Sequence, residues 1–164
     1  MYLINRIAQS ILFLASALAN ARLFELGLPE EIKPGEKFNI TVKQAIGIPM
    51  IEVSMLFGID RYDAEANIAP EPGNMGGTLL GSIDLRAILG DGRGQNVTTL
   101  TGMTVPDKFP LGPAAIQAVI LSVQGPVNSP TIETWFWNVT ISDSTSDQLV
   151  SATYADTNSR YCQI

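Results

Sequence analysis

From residue 34 onward, apolar and polar residues alternate one for one over several stretches of the chain. Pro34-Gly35 opens a segment in which Phe38, Ile40 and Val42 alternate with Lys37, Asn39, Thr41 and Lys43. This is the period of a strand with one buried face. Ile51, Val53, Met55, Phe57 and Ile59 repeat the pattern against Glu52, Ser54, Leu56, Gly58 and Asp60, predicting a second strand with the first set inside. Asp60 to Gly77 is polar and rich in Pro and Gly, which marks a connection. Thr78 to Leu85 predicts a third strand with Leu79, Ile83 and Leu85 on one side. Asp91-Gly92-Arg93-Gly94 reads as a turn, and Val97 to Val105 as a weaker strand stopped by Pro106. Ala114 to Val123 is apolar on both faces apart from Gln117 and Ser122, the pattern of a central strand covered on both sides. After a loop from Gln124 to Pro130, Trp135, Trp137, Val139 and Ile141 alternate with Thr134, Phe136, Asn138 and Thr140. No stretch past the N-terminal segment carries a convincing 3.6-residue period. Six or seven short strands between turn signals predict an all-β fold, an antiparallel β-sandwich of immunoglobulin-like type, with a barrel as the alternative.

The first two dozen residues follow another logic. Met1 to Arg6 carry one positive charge, and Ile7 to Ala19 are apolar except for Gln9, Ser10 and Ser16. At about 13 residues the apolar stretch is short of the roughly 20 needed to span a bilayer as a helix. It ends in small residues, so that Ala19 and Ala21 each close an A-x-A cleavage pattern. Residues 1–21 are therefore expected to be a secretory signal peptide and residues 22–164 one β-sandwich domain. Three glycosylation sequons, at Asn39, Asn96 and Asn138, fit a secreted, extracellular protein. Asn39 and Asn138 fall on the polar phase of their strands, where a sugar can be accommodated. The polar tail ending at Ile164 argues against a lipid-anchor signal.

Composition narrows the chemistry. The 164 residues are 46% hydrophobic and 16% charged, with a net charge of −6, which disfavours binding to nucleic acid or to anionic lipid. The chain has no histidine, which excludes Ser-His-Asp and Cys-His catalysis and metal centres that need imidazole. Its single cysteine, Cys162, forbids an internal disulfide, so the core must hold the fold unaided.

Few constellations suggest a site. Asp60, Asp63, Glu65 and Glu71 share one long connection and could offer oxygen ligands to calcium, but their spacing fits no calcium loop, and a solvated acidic loop is the better explanation. Paired carboxylates could hydrolyse glycosides, yet nothing in the pattern sets two of them on facing strands beside a cleft. Trp135 and Trp137 could stack on sugar rings, but their phase with Val139 and Ile141 makes them core residues. Phe136 points the other way and is the aromatic to suspect of touching a partner. No cofactor or catalytic motif is present, and a non-enzymatic protein is expected.

The order of short motifs is similar to that of the necrosis-inducing secreted protein (Nis1-like) family of fungal effectors. The residues that carry the resemblance are Leu28-Pro29, Pro34-Gly35 leading into Phe38-Asn39-Ile40-Thr41, Phe57-Gly58, Leu80-Gly81-Ser82, Val105-Pro106 and Leu111-Gly112-Pro113-Ala114. Gly125, Pro130 and the run Asn138 to Ser146 complete it. The chain departs from the family pattern at Ser122-Val123-Gln124-Gly125, at Ser142-Asp143 and in the longer, more acidic segment from Asp60 to Gly77.

The resemblance implies a secreted effector that binds plant receptor-associated immune kinases and suppresses pattern-triggered immunity or causes cell death, acting outside the recipient cell or within it after delivery. Phe136, Asp60, Asp63 and Glu65 are the residues expected to meet such a partner. The alternative is a structural or carbohydrate-binding module of the fungal cell wall with polysaccharide as its partner, which requires an exposed aromatic patch.

Overall fold

The computed structural model describes residues 21–46, 50–61, 77–89, 97–125, 129–153 and 158–161. They form ten strands and one short helix, in chain order β1 (Ala21–Pro29), β2 (Glu31–Ile32), β3 (Lys37–Ile46), β4 (Met50–Arg61), β5 (Thr78–Asp84), α1 (Leu85–Leu89), β6 (Val97–Thr104), β7 (Gly112–Gln124), β8 (Ser129–Ile141), β9 (Leu149–Thr153) and β10 (Asn158–Tyr161). The strands make two sheets. The smaller runs β6-β3-β1-β9 and the larger β10-β8-β7-β4-β5, with β2 added in parallel to the end of β8. All the other pairings are antiparallel. The expected all-β, two-sheet architecture is present.

One apolar core draws on both sheets. Leu26, Leu28, Phe38, Ile40 and Val42 of the smaller sheet meet Phe57, Ile116, Ile120, Trp135 and Trp137 of the larger. The tryptophans are in the core, as their phase predicts: Trp135 is 0% and Trp137 1% exposed. Their rings stack with centroids 6.3 Å apart, within the range of favourable aromatic pairs. The Trp137 indole Nε1–H donates to the Leu26 carbonyl, 3.1 Å away in the opposite sheet. β7 is a central strand, as expected, but it is buried on both faces only from Ala114 to Ala118; Val119 and Val123 are half-buried and Leu121 is exposed, so the expected cover does not reach Val123. At the Pro34-Gly35 turn, Gly35 has φ 77° and donates its N–H to Val105 at 2.9 Å. That left-handed backbone conformation favours glycine, which has no Cβ to strain it.

Several expectations need correction, and bulges are the common reason, because one extra residue reverses the side-chain phase. In β4 a register shift between Glu52 and Ser54 turns Glu52 inward and leaves Ile51 and Val53 half-buried, while Met55, Phe57 and Ile59 remain inside. In β5 a shift opposite Phe57 and Gly58 leaves Leu79 exposed and packs Leu80 on the core instead. The strand predicted to reach Leu85 stops at Asp84, where the chain turns into α1 with Leu85 buried. The alternation along the chain does not predict β1, β2, β9 or β10. β1 lies inside the smaller sheet, and its own shift between Leu23 and Glu25 disguises the alternation. The turn at 91–94 and Cys162 lie outside the described residues.

Candidate functional site

The two outer faces of the sandwich differ in chemistry. On the smaller sheet the outward residues include Lys37, Asn39 and Lys43 of β3 and Thr99 and Thr101 of β6, all exposed. Lys43 Nζ meets Glu25 Oε1 at 2.8 Å, and this hydrogen bond holds the Glu25 carboxyl below its usual range. On the larger sheet the cross-strand rows are Leu56–Val119–Thr134, Ser54–Leu121–Ile132 and Gly58–Gln117–Phe136. Continued to the edge strands, the second row runs from Asp84 of β5 to Arg160 of β10, and Leu56 and Leu121 are 40% and 37% exposed. Exposed leucines in the middle of a sheet face are a surface that can serve protein contact.

The expected contact residues divide. Phe136 stands on this outer face but is half-buried, not freely exposed, beside Gln117, which is 3% exposed. Asp60 is half-buried at the end of β4, in the cross-strand row two residues along from that of Phe136, and lines an open pocket of about 420 Å³ together with Arg61, Thr78, Lys108 and Phe109. Asp63 and Glu65 lie outside the described residues, as do Asn96 and Ala19. Asn39 and Asn138 are exposed on the polar phase of β3 and β8. Ala21 is the first residue of β1, its backbone opposite Ile46, so cleavage after Ala21 would start the mature chain inside the strand. Among the described residues no group of three or more Cys, Asp or Glu side chains could hold a metal ion, and no helix is long and apolar enough to cross a membrane.

A polar cluster that the sequence reading missed lies between the sheets. Glu52 and Glu133 are 5% and 3% exposed. The Arg22 guanidinium reaches across from β1 to form an ion pair with Glu133, and the Leu23 N–H donates to Glu52 Oε1 at 2.9 Å. Burial pushes the Glu52 carboxyl up to about 7, with the neighbouring Glu133 adding to the rise and the Leu23 N–H and Arg22 opposing it. Burial also raises the Glu133 carboxyl, against the pull of Arg22. Glu133 carries a readable signal: it shares the inward phase of Trp135, Trp137, Val139 and Ile141. The carboxylates lie inside the packed sandwich.

The model of the Nis1 family matches residues 19–140. The chain belongs to the Nis1 family. The matched segment includes β1 to β7 and β8 up to Thr140, and so takes in both the apolar outer face and the Arg22–Glu52–Glu133 cluster. Two relatives are each named necrosis-inducing secreted protein 1. The one from Colletotrichum higginsianum is 28% identical over 139 residues, which is 83% of this chain and 89% of the relative. The one from Colletotrichum orbiculare is 29% identical over 150 residues, 89% of this chain and 86% of the relative. Neither name is that of an enzyme.

Proposed function

We propose that this Nis1-family protein is a secreted effector that binds plant receptor-associated immune kinases, suppresses pattern-triggered immunity or induces cell death, and does so without catalysis. The observation that carries the proposal is membership of a family whose relatives, matched over more than four fifths of this chain, are named necrosis-inducing secreted proteins. The outer face of the larger sheet, around Leu56, Leu121 and Phe136, is the contact surface. The fold supports a binding role: its buried carboxylates are packed inside, and its exposed chemistry is that of a docking face. The sandwich is read as immunoglobulin-like because the chain passes repeatedly between sheets, from β3 to β4, β5 to β6, β6 to β7 and β8 to β9. Burial of Trp135 and Trp137 leaves the cell-wall reading without the paired-indole platform that it needs.

The test is infiltration of the purified mature chain into leaf tissue before challenge with a microbial pattern. Suppression of the oxidative burst, or local cell death, is the expected result. An unchanged burst with no necrosis overturns the proposal, and retention of the protein on insoluble β-glucan or chitin would move it to the cell wall.

A further inference from the structure

β8 carries a motif that the proposed function leaves unused. Trp135, Trp137 and Val139 are 0%, 1% and 4% exposed, while on the other face Phe136 is half-buried and Asn138 and Thr140 are exposed. The β7–β8 ladder runs through this stretch, from Gly112 opposite Ile141 to Gln124 opposite Ser129, without a register shift. Phe136, Asn138 and Thr140 therefore stand in one line on the outer face of the larger sheet, about 6.8 Å between successive members. Asn138-Val139-Thr140 is a glycosylation sequon, so an aromatic ring stands two residues before the acceptor asparagine on the same face.

The sheet neighbours of this line include short residues: Ala115 is opposite Asn138, and Gly58 lies beyond Gln117 in the row of Phe136. The sequon at Asn39 is built differently. Asn39 is exposed on β3, but Lys37 and Thr41 are the residues two positions away on its strand, and Thr101 is opposite. None of these three offers a ring.

We propose that Asn138 carries an N-linked glycan whose innermost N-acetylglucosamine stacks on the ring of Phe136. Attachment joins Asn138 Nδ2 to C1 of that sugar. The bond from C1 to a polyisoprenoid diphosphate donor breaks, the diphosphate leaves, and the amide gives up one proton. One face of the sugar presents C–H groups, which are apolar and weakly positive, and the face of the Phe136 ring is electron-rich. Contact between them removes apolar area from water and is electrostatically favourable. The sugar is tethered beside the ring, and the stacked, buried tryptophans hold this part of β8 in place, so little freedom is lost on contact. Phe136 is thus the platform for the protein's own sugar. The glycan borders the proposed contact surface at this end and leaves the rows of Leu56 and Leu121, the next two along, to a partner. The inference rests on the secreted reading above and not on the kinase partner.

The test uses the mature chain secreted from yeast behind the host's own leader, so that failure of this chain's own N-terminal segment to direct export stays distinct from failure of the glycan. Peptide mass mapping reads occupancy at Asn138, and nuclear Overhauser contacts between the Phe136 ring and the innermost sugar read the stacking. Thr140→Ala removes this sequon and leaves those at Asn39 and Asn96. The same substitution in unglycosylated protein from bacteria gives its intrinsic cost, and the difference is the contribution of the sugar. That contribution is expected to be a rise of roughly 3 °C in melting temperature, falling below about 1 °C in a Phe136→Leu background, which keeps apolar bulk without a ring face. An unmodified Asn138 overturns the proposal. So does an occupied site with no contact between ring and sugar, or an equal rise in Phe136→Leu. The first two outcomes are read on the unaltered chain and hold even if a variant folds poorly.

Discussion

Substitution of adjacent positions in β8 separates residues that fold the protein from those that present its surface. Trp137 is 1% exposed, stacks on Trp135 and donates its indole N–H to the Leu26 carbonyl at 3.1 Å. Trp137→Ala removes a large core side chain, at about 3–5 kcal/mol. It also leaves a buried carbonyl without that donor, at about 1 kcal/mol more. The total of about 4–6 kcal/mol is a large part of the 5–15 kcal/mol typical of a domain, and corresponds to a fall in melting temperature on the order of 10–15 °C. Trp137→Phe keeps most of the ring but loses the donor, and should cost about 2 kcal/mol. Phe136 is half-buried on the outer face, so Phe136→Ala should cost about 1 kcal/mol. Urea unfolding followed by far-ultraviolet circular dichroism gives all three values without relying on the fluorescence that the substitutions alter. Equal losses at 136 and 137, or a reversed order, would refute the assignment of the inward face of β8 and the core built on it.

Other outcomes follow from the buried cluster. Because the Glu52 carboxyl binds its proton more tightly folded than unfolded, global stability should fall as pH rises from about 4.5 to about 7, by about 3 kcal/mol from this group alone. Urea midpoints across that window check the sign, and a stability that rises with pH would contradict it. Arg22→Gln leaves the Glu133 carboxylate buried without its guanidinium and should cost about 3–5 kcal/mol in the same assay. Lys43→Gln, at the exposed pair with Glu25, should change stability by less than about 1 kcal/mol. Similar losses at the two positions would mean that the inter-sheet ion pair is dispensable.

Which parts of the architecture were legible depended on whether a strand kept its phase. β3 keeps Phe38, Ile40 and Val42 inside, and β8 keeps Trp135, Trp137, Val139 and Ile141 inside, so their alternation read correctly. The two-sided apolar run of β7 likewise gave away its central position. β4 changes phase at its bulge, and strict alternation therefore put Glu52 on the wrong face and concealed half of the buried acid pair. β1 was hidden by the same device, and α1, with five residues, is too short to show a helical period. Glu133 could have been found by extending the inward phase of β8 by one step. Its pairing with Arg22 could not, since the two are 111 residues apart and meet only because the sheets pack face to face. The proposed docking face was legible only in part, because Phe136 marks it but Leu56 and Leu121 join it through cross-strand register.

The most direct test of the central claim is titration of the mature chain against the cytoplasmic domains of plant receptor-associated immune kinases. Two variants serve as probes: Leu121→Glu on the outer face of the larger sheet, and Thr101→Glu on the smaller sheet. Both positions are exposed, so both variants should remain folded. The account predicts saturable binding by the unaltered protein and by Thr101→Glu, with at least a tenfold loss for Leu121→Glu, where a charge enters an apolar contact. Failure of the unaltered chain to bind any such kinase would contradict the proposed function. Equal binding by both variants would contradict the docking face.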